Sequence, residues 1–346
     1  MPTLIRLTIK QHRFEFSAMV LACLGLAIAA LIEAARLNAL NVPLSCLLGW
    51  QGPGVAPGGS LSAAAAHCSQ LASAFLDLQD ETDMGLVREL LLLGPVMAGI
   101  LLGAPLVAAE IEQGTAPASW VHNSSRRRWV VAKLLSGAVV LVPLLLILGL
   151  AADVLEAAEM PTLDPHASFA GYLDRGVIDV FWGMAAFSGA IALGALFGRT
   201  LHAVIAALLV VFFVRATWDA GMTHFVLRPF AVRQAPQSTV PSYFTPDPDL
   251  HLYSRYYLDG QPFVGDVDAW YEEHQPSQTP EAGPTPTPGT NGQPPAGEID
   301  GPVAVNFVIP GPSYWDVIGL ISALLALGSL AAVGITVACV ERRRPY

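Results

Sequence analysis

Six stretches of this chain are apolar over a length that can cross a bilayer as a helix, and nothing else in the sequence restricts its fold as strongly. A hydrocarbon core of about 30 Å takes roughly 20 helical residues to span. The stretches are Phe16–Ala35, Leu90–Ala109, Trp129–Leu150, Val177–Phe197, Leu201–Trp218 and Trp315–Val340. Composition points the same way, with 53% hydrophobic and 13% charged residues and a mean hydropathy of +0.51, where soluble domains carry about 25% charged residues. The expected fold class is an all-α integral membrane protein with six transmembrane helices.

Charge supplies the orientation. Arg6, Lys10, Arg13, Arg126, Arg127, Arg128, Lys133, Arg199 and Arg342 to Arg344 all fall at one set of span ends, and short loops rich in Lys and Arg face the cytoplasm. The opposite segments are acidic: the loop from Leu37 to Glu89 holds Asp77, Asp80, Glu81, Asp83 and Glu89 against Arg88. A multi-pass protein of the plasma membrane with both termini cytoplasmic is therefore expected.

Within that frame, residues 1–15 mix Leu4, Ile5, Leu7, Ile9 and Phe14 with Arg6, Lys10, His12 and Arg13, a pattern suited to an amphipathic helix at the inner interface. The apolar run continues past Cys23 to Ala35, longer than a signal-peptide core, so it is read as a retained span. Residues 16–218 hold the first five spans, the outer loop 37–89 and a cytoplasmic segment, 110–128. Residues 219–314 form an outer lobe with enough aromatic residues, among them Tyr253, Tyr257, Phe263 and Trp270, for a small fold. Inside it, 275–302 is rich in Pro, Gly and Thr without an aromatic residue and reads as disordered, whereas Val303–Ile309 alternates like a strand. The last span and a basic tail occupy 315–346. Cys46 and Cys68 share the outer loop, where an oxidising compartment permits a disulfide, worth on the order of 3 kcal/mol by loop entropy.

Catalytic chemistry has no foothold in the motifs. Neither Lys10 nor Lys133, the only lysines, follows a glycine, so a phosphate-binding Gly-Lys-Ser/Thr loop is missing. There is no Gly-x-Ser-x-Gly elbow, no Cys-x-x-Cys pair and no His-Glu-x-x-His pattern. The chain is read as a non-enzyme with no cofactor of its own.

The segment between the second and third spans, AEIEQGTAPASWVHNSSRRRWVVAK from Ala109, is the polar handle on this apolar body. Gly114 can take the left-handed backbone that stops a helix, Thr115 can cap the next helix, and Ser124 or Ser125 can cap the third span. Trp120 would stand as an apolar anchor, the residue type found at interaction hot spots; a capped turn with Trp120 resting among headgroups is the plainer alternative.

Glu110, Glu112, Gly114 and Thr115, followed by Trp120, Ser124 or Ser125, Arg128 and Lys133, resemble the signature of type-2 permeases of ATP-binding cassette (ABC) exporters, in particular an actinobacterial-style form. In that family a Glu-x-Glu-x-Gly-Thr turn leads to a short coupling helix and then to Ser-x-x-Arg-x-x-x-x-Lys. The resemblance covers about residues 1–200. It implies that Glu110, Glu112, Gln113, Gly114, Thr115, Trp120 and Arg128 couple the chain to an ATPase. The partners would be a separate P-loop ATPase subunit carrying ATP and Mg, a second permease chain forming a homodimer, and membrane lipid, with no nucleic acid. The alternative is a membrane-anchored sensory or binding protein that displays the lobe.

Pathway candidates are few. Met97 in the second span and Phe212 and Phe213 in the fifth could line an apolar cavity, and Arg215 could mark a substrate route. Arg215 also has Asp219 four residues on, so an interfacial ion pair explains it without function. Gly94, Pro95, Gly99, Gly103 and Pro105 make the second span able to kink or approach a neighbour closely.

Overall fold

The computed structural model describes residues 8–48, 63–116, 125–234, 247–258, 260–274 and 302–342. In chain order its helices are α1 (Arg13–Ala39), α2 (Leu44–Leu48), α3 (Ala63–Gln79), α4 (Thr82–Glu112), α5 (Arg126–Glu159), α6 (Ile178–Phe197), α7 (Thr200–Gly221), α8 (Val267–His274) and α9 (Tyr314–Arg342). Six of them, α1, α4, α5, α6, α7 and α9, are long and apolar enough to cross a membrane, and each contains one of the six apolar stretches to within a residue. The fold is an all-α membrane bundle. Of the expected interfacial helix, residues 1–7 lie outside the described residues, and a helical turn at 8–11 runs directly into α1.

Two spans, α4 and α5, run furthest beyond their apolar stretches. The helix α4 begins at Thr82, before Asp83, Arg88 and Glu89, and α5 ends at Glu159, after Asp153 and Glu156. Hydropathy stops at a charge; backbone hydrogen bonding does not. Both extensions fall at the end of the bundle that carries the lobe, where Arg88 of α4 pairs with Glu159 of α5 at 2.6 Å; nearby, Arg36 of α1 pairs with Glu33 at 2.8 Å and with Glu81, just before α4, at 2.6 Å.

At the centre stands α6, packed against α4, α5, α7 and α9. It is apolar on all sides, as a helix surrounded by others must be. In lipid there is little hydrophobic drive to bring helices together, so close van der Waals packing of small residues does that work. Gly99 and Gly103 of α4 lie against the Gly183 to Ala190 face of α6: a Cβ on Gly99 would overlap the Gly183 carbonyl oxygen, and one on Gly103 would lie 2.5 Å from that of Phe187. The outer helices are less enclosed. Leu201, Phe212 and Phe213 on α7 and Leu327 and Leu330 on α9 are exposed.

Above the bundle, α2 and α3 are joined by a Cys46–Cys68 disulfide. Leu47, Ala72 and Phe75 pack there against α1, α4 and α5. The lobe is a four-stranded antiparallel sheet of β1 (Val232–Gln234), β2 (Leu250–Leu258), β3 (Gln261–Pro262) and β4 (Val303–Ile309), in the order β1-β4-β2-β3. The alternating stretch 303–309 is one of its two inner strands. Ile309 and Leu250, paired across the sheet, sit in the same cluster as Trp182, Leu227, Tyr314 and Val317, so the sheet is seated on the span ends. Of the stretch expected to be disordered, 275–302, residues 275–301 lie outside the described residues and Pro302 is buried.

Candidate functional site: the polar turn after α4

The turn that leaves α4 is fixed by its backbone. Gly114 has φ +68°, a conformation that glycine enters without a Cβ penalty. Its N–H donates to the Ile111 carbonyl at 3.2 Å, and the Thr115 N–H donates to the Glu110 carbonyl at 3.0 Å. These two bonds close a Schellman motif. The Thr115 hydroxyl donates to the same Glu110 carbonyl at 3.2 Å, so the residue expected to begin a new helix also finishes the old one.

Glu110 and Glu112 are two positions apart, about 200° around the helix, and cannot share a face. Glu110 points inward. It is 4% exposed and pairs with Lys133 of α5, itself 3% exposed. It is therefore turned away from the surface and joins α4 to α5. Glu112 points outward, and its Oε2 accepts the backbone N–H of Thr200 at 2.9 Å. Thr200 opens α7, where the first amides lack partners in their own helix, so a carboxylate from α4 completes the start of α7.

The next helix is anchored in the same region. The Ser125 hydroxyl oxygen accepts the Arg128 N–H at 3.3 Å and caps α5. Arg126 donates from Nη1 to the Val340 and Glu341 carbonyls at 3.3 and 3.0 Å, at the C-terminal end of α9, where the helix dipole favours a cation. Glu112, Gln113, Gly114, Thr115 and Arg128 are exposed. Trp120 lies outside the described residues.

Neither lash was foreseen from sequence. Lys133 was the available signal, because a lysine seven residues inside a span needs a partner.

The pathway candidates do not converge within one chain. Met97 lines an apolar groove of about 750 Å³ between α1 and α4, with Ala18, Ala22, Leu93 and Leu101. Phe212 and Phe213 stand exposed on α7, in edge contact with each other at 6.0 Å and outside that groove. Arg215 pairs with Asp174, in the segment before α6, at 2.6 Å; the side chain of Asp219, its expected partner, lies outside the described residues. Gly99 and Gly103 are occupied by packing on α6.

The lobe end of the bundle carries charge that the sequence did not advertise. Arg175, 2% exposed, donates to the carbonyls of Ala170, Pro165 and Ser168, pairs with Asp153 at 3.2 Å and lies 5.2 Å from the Tyr314 ring. It ties α5, the following loop and α9 together. Beside it is a cavity of about 160 Å³ lined by Arg88, Glu89, Glu156, Glu159 and Asp174. Among the described residues no group of His, Cys, Asp or Glu is placed to hold a metal ion.

No curated protein and no solved structure matches the chain. A family model described as ABC-2 membrane transporter related matches residues 16–222, more than half of the chain. That stretch runs from α1 through α7 and contains the Schellman turn, the buried pair and the Glu112 bond. The chain belongs to the ABC-2 membrane transporter-related family.

Proposed function

We propose that this chain is the transmembrane permease subunit of an ATP-driven ABC exporter, and that the exposed turn Glu112–Thr115 is where a separate P-loop ATPase subunit, carrying ATP and Mg, engages it. The observation that supports this reading is the pair of lashes on the turn: one buried, from Glu110 to Lys133, and one exposed, from Glu112 to the start of α7. A plain surface turn needs neither. Nucleotide-dependent movement of the ATPase would shift the turn and, through it, α5 and α7, biasing two arrangements of the bundle. The turn and both termini would then be cytoplasmic and the lobe extracytoplasmic. Two copies would enclose the pathway, with the Met97 groove and the exposed α7 face of Phe212 and Phe213 as surfaces a second copy could complete. The spans carry little charge away from their ends, which favours amphipathic or lipid-like cargo over ions.

The test is co-purification in mild detergent followed by ATPase assay. A P-loop ATPase should accompany the chain and be stimulated by it, and E112A should reduce that stimulation and the coupled transport while leaving the chain folded. Absence of any such ATPase from the complex would remove the reading in favour of a membrane-anchored binding protein.

A further inference from the structure

Seven arginines lie at the lobe end of the molecule, and they divide into two groups. Arg36, Arg88, Arg175 and Arg215 are each paired with a carboxylate. Among the described residues Arg228, Arg233 and Arg255 have no such partner, although they are the only arginines or lysines between 219 and 314 and the surrounding segment is acidic. Each of the three lies over a tyrosine ring instead: Arg228 and Arg255 at 5.5 and 5.6 Å from Tyr253, and Arg233 at 4.7 Å from Tyr257.

The sheet register explains the convergence. Arg233 pairs with Phe307 and Phe307 with Tyr253, so these side chains share one face, and Arg255 and Tyr257 follow Tyr253 at alternate positions on it. Tyr253 and Phe307 stack at 4.7 Å. All three arginines are exposed. A guanidinium that rests its flat face on a ring still presents its N–H edge, and that edge matches the oxygens of a phosphate.

The position of this face narrows the ligand. Its lower end, Ile309 and Leu250, is buried against the span ends. Arg228 follows the last turn of the α7 region and stands between Phe225 and Phe230, which are 84% and 55% exposed. Exposed aromatic residues beside a basic one at the end of a span are the usual furniture of the headgroup layer.

We propose that the Arg228–Arg233–Arg255 face binds the phosphate headgroups of anionic phospholipid in the leaflet on the lobe's side of the membrane. It draws on the membrane-spanning reading and not on the ATPase, so failure of the co-purification leaves it standing.

The full chain in detergent should be titrated with phosphatidylglycerol and, separately, phosphatidylcholine, with bound lipid counted by native mass spectrometry. Each arginine near a membrane surface contributes about five-fold in affinity for anionic lipid, so R228Q/R233Q/R255Q should weaken the tightest phosphatidylglycerol binding at least about ten-fold with phosphatidylcholine unchanged. If the triple variant does not fold, the single variants carry the test, each expected to lose about two- to five-fold. Undiminished phosphatidylglycerol binding overturns the proposal. So does a several-fold gain on deleting residues 275–301, because the acids Glu281, Glu298 and Asp300 of that segment would then be the resident occupant.

Discussion

Glu110 and Lys133 make the sharpest single-residue statement in this molecule, because each is buried and each is the other's counter-ion. Removing one partner strands a charge and costs about 3–5 kcal/mol, whereas removing both need not. K133M should therefore lower the thermal midpoint strongly, E110Q/K133M should recover much of the loss, and fluorescence-detected size exclusion after heating would measure both. Equal losses in the two proteins would mean that the pair does not hold α4 to α5. Glu112, on the opposite face, behaves differently: E112A removes one helix-start acceptor, worth about 1 kcal/mol, so the same assay should register only a small shift. In the lobe, Asp247 is partly buried, which raises its pKa, but the Asp249 N–H at 2.9 Å and His251 at 2.9 Å outweigh that and hold the carboxyl below its ordinary value. A lowered folded-state pKa gives stability that is present above the unfolded value and lost as pH falls through the folded one. The lobe should therefore loosen only in acid, as pH falls below about 4, and D247N should flatten that response in limited proteolysis.

Among the elements, α6 sets the tolerance of its neighbours. G99A places a methyl group against the Gly183 backbone and should cost about 1–3 kcal/mol as overpacking. G25A meets nothing within 4 Å and should be neutral or gain up to about 1 kcal/mol from helix propensity. Thermal midpoints of the two proteins compare these directly, and a harmless G99A would deny the close α4–α6 contact. The contrast also marks what could be read in advance. Hydropathy located all six spans, and Gly114, Ser125 and the strand at 303–309 were legible because turn chemistry, capping and alternation are local. Partners were not: that Glu112 meets Thr200, Arg215 meets Asp174 and Arg175 gathers three carbonyls depends on which helix ends come together. A single sequence carries that information only in its packing. Arg215 shows the limit well, since spacing names only Asp219 on its own helix, whereas Asp174 comes within reach only when the segment before α6 folds against α7.

At the scale of the whole molecule, the covalent tie and the strand order decide how the lobe end holds together. Of four cysteines, Cys46 and Cys68 are bonded while Cys23 and Cys339 are free. Alkylation of denatured, unreduced protein should therefore mark two sites and not four, and C68S should cost about 2–4 kcal/mol, read as earlier unfolding of the α2 and α3 region. The sheet raises a matter of biosynthesis. Its edge strand β1 and its longest strand β2 do not pair with each other; both pair with β4, the last strand to be made, and β4 enters α9 after only Pro310 and the short turn Gly311–Ser313. A nascent chain that has delivered five helices to the membrane still has no closed sheet. Closure waits for β4, so a polypeptide cut short before Val303 would leave β1 and β2 with unpaired edges, and such edges invite pairing with other chains.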